Sequence, residues 1–150
     1  MISEKNDSSR EKQVKLSFDK QGLMAHLGAK LIKVRPGYCE ILLPFRLELT
    51  QHHGYFHAGS LSAIIDTAGG FAGLTLFKED ESVLTVEFKV NLIAPAVGEC
   101  LIARGEVIKA GRTLTTVKGE VFALREGEEF LVAVMQQTLM RMAGPVEVEA

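Results

Sequence analysis

The chain has no tryptophan, only two cysteines among 150 residues, four prolines and no excess of either charge. Each shortage excludes something. Cys39 and Cys100 lie far apart in strand-like runs and show neither metal nor redox spacing, so both are expected as reduced core residues of a cytosolic protein. Seventeen basic against nineteen acidic residues leave a formal net charge of −2, which argues against a nucleic-acid binder. The longest apolar run is too short and too broken by glycine to span a membrane. Residues 1–20 are charged and lack the apolar segment of a secretion signal, so a cytoplasmic location is expected. There is no Gly-x-Ser-x-Gly elbow of the serine hydrolases. No glycine-rich phosphate loop follows a strand, because Gly69, Gly70 and Gly73 fall inside a helical pattern.

What is present is a globular composition, 47% hydrophobic and 24% charged, of a length that suits one domain with a sizeable core. Residues 1–10 are polar and expected to fray, and residues 144–150 form a short acidic tail. The organising stretch is 51–77, QHHGYFHAGSLSAIIDTAGGFAGLTLF. A loop with three histidines leads into a helix whose Leu61, Ile64, Ile65, Ala68 and Ala72 recur at helical spacing. Ser60 or Gly59 is the expected N-cap region. The opposite face carries Ser62, Asp66, Gly69, Gly70 and Gly73, small residues plus one acid. A glycine inside a helix costs roughly 0.5–1 kcal/mol against alanine, so several together imply close approach by another backbone or a ligand. Asp66 is the one carboxylate between Glu48 and Glu79.

Around this helix the chain reads mostly as strands. A short helical segment from Glu11 runs towards Gln21-Gly22, and a further turn over 23–27 ends at Gly28. Residues 29–34 and 38–45 form a hairpin about Arg35-Pro36-Gly37. After the helix, 84–94 alternates, with Leu84, Val86, Phe88, Val90 and Leu92 on one face and Thr85, Glu87, Lys89 and Asn91 on the other. Strands over 99–109, 113–124 and 129–140, joined by tight turns, make an antiparallel meander. An antiparallel sheet must cover the one long apolar helix, an α+β arrangement.

This order, with a glycine-rich central helix, resembles the hotdog fold. His57-Ala58-Gly59, followed by Asp66, resembles the histidine-glycine-glycine and aspartate signature of the phenylacetic-acid-degradation (PaaI-like) type of hotdog acyl-CoA thioesterase. The resemblance covers roughly residues 21–140, including Ala94-Pro95 after the helix and the Ala110-Gly111-Arg112 turn. It implies hydrolysis of an acyl-CoA thioester to free acid and coenzyme A. The Ala58 N–H, with Gly59 beside it, would polarise the thioester carbonyl. Asp66 from the facing subunit of a dimer would act as general base or nucleophile. Gln51 falls where the family often has an asparagine, and Thr85 where a serine or threonine holds the attacking water. His57 is expected to hold the loop or the thioester end. Ala58 departs from the usual glycine, and a main-chain donor survives that change if its methyl clears the acyl group. The family also implies a homodimer, often a tetramer built as a dimer of dimers.

The chemistry is reasonable without the family name. A helix start offers unpaired N–H groups and partial positive charge, which suit the oxygen of a tetrahedral intermediate. A thiolate leaves easily, so one carboxylate and a polarising helix start suffice. Arg112 and Lys109, with Lys118, are candidates for the coenzyme A phosphates, though solvated surface charge is an equal reading. Phe56 and Phe71, with Tyr55, Leu74 and Phe77, are candidates for an acyl pocket or for plain core. His52, His53 and His57 match no common zinc spacing, so no metal is expected, and coenzyme A enters only as part of the substrate. Two rival readings stand: a hotdog protein that binds or senses acyl-CoA without cleaving it, and a hotdog dehydratase. The sensing relatives carry a separate DNA-binding segment, for which residues 1–22 are too short, and the dehydratase chemistry is expected to use a histidine and an acid at other positions.

Overall fold

The structure, a computed structural model, describes the backbone of residues 3–144 and the side chains of residues 9–144. The acidic tail from residue 145 onward lies outside the described residues. Helices α1 (Ser3–Asp19) and α2 (Gly22–Leu27) precede strands β1 (Lys30–Arg35) and β2 (Tyr38–Pro44). A single 3-10 turn, Leu47–Leu49, leads to the loop before α3 (Ala58–Leu74). Strands β3 (Glu81–Leu92), β4 (Cys100–Ala110), β5 (Leu114–Arg125) and β6 (Glu128–Ala143) complete the chain. All six strands join one antiparallel sheet in the order β1-β2-β4-β5-β6-β3. The sheet curls about α3, which touches every strand from β2 to β6. This is the α+β wrap expected for a hotdog.

The periodic residues of α3 explain the wrap. Leu61, Ile64, Ile65, Ala68 and Ala72 are all buried against the sheet, and each large one contributes about 1.5–3 kcal/mol by leaving water. The glycines set how near the sheet comes. A Cβ on Gly105 of β4 would lie 2.6 Å from the backbone of Ala68 and Gly69, so strand and helix backbones are in direct contact there. Gly69 and Gly73 make room for Gln137 and Leu139 of β6 in the same way. The close partner implied by the helical glycines is therefore the chain's own sheet. Cys39 and Cys100 are buried and free, as expected.

The N-terminal helix begins earlier than its composition suggested, at Ser3 rather than near Glu11. Tertiary contacts hold it. Val14 and Phe18 are buried, Phe18 meeting Phe71 at 6.3 Å between ring centroids. Arg10 is also buried and donates to the Phe77 carbonyl in the turn after α3, while the Ser9 hydroxyl donates to Glu79.

Strand β3 departs from its expected alternation. A bulge falls between Thr85 and Glu87. Paired residues of an antiparallel ladder share a face. Thr85 pairs with Leu139, and beyond the bulge Phe88, Val90 and Leu92 pair with Gln137, Met135 and Ala133, all buried. Thr85 therefore faces the helix together with Phe88, and Leu84 faces away, because one extra residue reverses the parity. Strand β3 is also an edge of the sheet, so Leu84, Val86, Phe88 and Leu92 are exposed in a single chain.

Candidate functional site

Helix α3 starts at a cap supplied by a side chain that the sequence did not single out for that task. His57 has extended backbone (φ −65°, ψ 140°), and its Nδ1 accepts from the Gly59 N–H at 2.7 Å. The cap is thus His57, not Ser60 or Gly59. Ser60 is buried, and its hydroxyl donates to the Leu49 carbonyl. The short His57-to-Gly59 reach leaves only 3.0 Å between the ring and a Cβ on Gly59, which favours glycine there. The N–H groups of Ser60 and Leu61 both donate to the His57 carbonyl. Of the first-turn donors, that of Ala58 alone has no acceptor among the described residues. Ala58 lines a cavity of about 410 Å³ together with Gln51, Phe56, Leu61, Leu92 and Pro95. Gln51 is partly engaged by its own loop, its Oε1 accepting from the His53 N–H. Phe56 is buried, edge-on to Phe45 at 5.4 Å.

Asp66 lies eight residues along the same helix, about 12 Å from Ala58 at 1.5 Å per residue. It is half-buried, and its Oδ1 is held by two donors. The Thr85 hydroxyl donates to it at 2.7 Å, a contact that depends on the β3 bulge. Gln137 Nε2 donates to it at 2.6 Å, and also to the Asp66 main-chain oxygen at 3.1 Å. Gln137 was missed in the sequence. Its signal was there: in β6 the alternating row Ala133, Met135, Gln137, Leu139 points inward, and an amide in an apolar row asks for a reason.

The remaining candidates fall elsewhere. Phe71 packs against Phe18 in the core. Lys109 and Arg112 lie exposed around the β4–β5 turn, at the end of the sheet where β3 starts, with β6 between them. The cavity at Ala58 adjoins the end of β3, about 26 Å away measured from Leu84 to Leu92. One chain therefore does not bring these cations, or Asp66, to its own Ala58. The rings of His52 and His53 lie on the surface, 3.9 Å apart between centroids and tilted by 43°.

The sequence model of the thioesterase superfamily matches residues 53–130 of the chain. A thioesterase family protein from Silicibacter pomeroyi is 45% identical, with 90% of this chain and 99% of that one covered and a TM-score of 0.88. The PaaI protein of the E. coli phenylacetic acid degradation operon superposes with a TM-score of 0.81 over 92% of this chain and 96% of that one. At 16% identity that is a likeness of fold alone. A candidate esterase of Saccharolobus solfataricus is 31% identical over 94 residues, 63% of this chain. The match spans 66% of that relative, just under two thirds of its length. Among the described residues no helix is long and apolar enough to cross a membrane.

Proposed function

The chain belongs to the thioesterase superfamily and has the hotdog fold of its PaaI-like members, and from that premise we propose that it hydrolyses acyl-CoA thioesters at sites shared between two copies. One observation carries the reading: a single helix bears an N–H without an acceptor among the described residues at Ala58 and a lone, oriented carboxylate at Asp66. At about 12 Å apart they serve one carbonyl only if the second group comes from another subunit. The exposed edge of β3, apolar at Leu84, Val86 and Phe88, supports pairing with a second copy. Antiparallel pairing there would bring the partner's Asp66 end towards this chain's Ala58 end, and the β4–β5 hairpin with Lys109 and Arg112 along with it.

In the proposed reaction Asp66 takes a proton from water while the water oxygen attacks the thioester carbon. The carbonyl oxygen gains negative charge, and the Ala58 N–H at the positive end of α3 stabilises it by about 2.7–4 kcal/mol. The C–S bond then breaks, and coenzyme A leaves as a thiolate that recovers the proton. No metal enters this scheme. Gln51 and Phe56 line the part of the cavity that would hold the thioester end. The test is thiol release from hexanoyl-CoA and benzoyl-CoA by wild type and Asp66→Asn. Loss of at least about 100-fold in kcat in a folded variant is expected. A wild type that binds these thioesters without releasing thiol would overturn hydrolysis and favour a binding protein.

A further inference from the structure

Gln137 is fully buried in β6, yet the proposed mechanism gives it no part. Its neighbours in the inward row are apolar, and its Oε1 has no hydrogen-bond partner among the described residues. A buried acceptor left unpaired works against stability, so core packing does not account for an amide here. All its polar contacts converge on one place. Nε2 meets Asp66 Oδ1 at 2.6 Å, the Asp66 main-chain oxygen at 3.1 Å and Thr85 Oγ1 at 3.2 Å. The Thr85 hydroxyl meets the same Oδ1 at 2.7 Å. Two donors therefore hold Oδ1, and Oδ2 has none among the described residues.

We infer that Gln137 is a positioning residue that fixes the Asp66 carboxylate and leaves Oδ2 as the oxygen that takes the proton from water. The inference rests on the proposed hydrolysis by Asp66. Gly69 belongs to the same device. The amide crosses α3 at Gly69, where a Cβ would lie 2.0 Å from Gln137 Oε1 and 3.1 Å from its Cδ. Glycine is thus the residue that lets an amide from the sheet reach past the helix surface to a carboxylate one turn earlier. A methyl at position 69 must push the amide aside, because it meets the free end of a side chain rather than backbone. The loss of the Gln137 hydrogen bond leaves the acid in place with Thr85 as the one side chain still donating to Oδ1, so it is oriented less firmly, which weakens proton abstraction more than substrate binding.

The experiment compares the full-length wild type, Gln137→Met, Gly69→Ala and the double variant on the hexanoyl-CoA or benzoyl-CoA that wild type hydrolyses. Methionine keeps the length of glutamine and removes both the donor and the unpaired acceptor. Gln137→Met is expected to lose about 10- to 100-fold in kcat with KM unchanged. Its melting temperature should match or exceed that of wild type. Gly69→Ala should show the same loss, and the double variant no further loss, because both act through one contact. Wild-type kcat in Gln137→Met, while Asp66→Asn is inactive, would overturn this role and leave the hydrolysis reading standing. So would a loss that follows a fall in melting temperature, or losses that multiply in the double variant. A wild type that releases no thiol would instead remove the hydrolysis reading, and this role with it.

Discussion

Adding one methyl to Gly105 should damage the fold more than adding one anywhere along α3. An alanine Cβ there would meet Ala68 C and Gly69 N at 2.6 Å and Ala68 O at 2.7 Å, all backbone atoms. Ordinary contact would need β4 and α3 to part by about 1 Å, which loosens the buried packing on both sides. Overpacking a core usually costs 1–3 kcal/mol, and with no side chain free to yield this site should reach about 3 kcal/mol. For a chain of this size that lowers the melting temperature by roughly 6–12 °C. Gly70→Ala is the control, since nothing lies within 4 Å of its Cβ. It should gain about 0.8–1.0 kcal/mol of helix propensity and melt a few degrees higher. Urea and thermal melts at one protein concentration measure both, because association contributes to apparent stability. Gly105→Ala melting with wild type would refute the backbone contact between helix and sheet. A Gly70→Ala protein less stable than wild type would mean that another surface covers the face a single chain leaves open.

Two more outcomes are expected. His57→Ala removes the acceptor for the Gly59 N–H, so it should cost about 1 kcal/mol in urea melts. It should also change kcat on hexanoyl-CoA, since a second free donor appears beside Ala58; unchanged stability would show that His57 does not cap α3. Arg104 bridges Glu40 and Glu129 across β4 at 3.0 and 2.7 Å, and its hydrogen bonds hold the Glu129 carboxyl below its ordinary value of 4.5. A carboxyl lowered by folding adds stability above that ordinary value, and the contribution fades as pH falls through the lowered one. Glu129 is about a third exposed (35%), so solvent screens the pair and limits it to about 1 kcal/mol. Arg104→Met should therefore narrow the stability gap to wild type as the pH of the melts is lowered from 6 to about 3; a constant gap would refute the contribution of the pair.

Much of the fold followed from local pattern. The spacing of Leu61, Ile64, Ile65, Ala68 and Ala72 can be satisfied only by a helix with one buried stripe, and the strands with their turn residues had to cover it. Asp66 was visible as a lone acid among small apolar residues, and the Gly28 and Pro36-Gly37 stops ended their elements where expected. What the sequence left open depended on contacts between distant positions. The cap at His57 depends on a ring turning back onto Gly59. The docking of α1 uses Arg10, which reaches the turn after α3. Strict alternation put Thr85 on the polar face, and only the pairing of β3 with β6 revealed the bulge that turns it to Asp66. Gln137 lies 71 positions from the carboxylate it holds.

The sequence by itself therefore determined the central helix, its buried stripe, its single acid and the antiparallel strands around it. These follow from periodicity and turn chemistry, which act over a few residues. Only the tertiary structure decided which side chains meet Asp66 and which N–H at the helix start is left without an acceptor among the described residues. Register, bulges and the passage of a side chain across a glycine are properties of two elements packed together. No single stretch of sequence carries them.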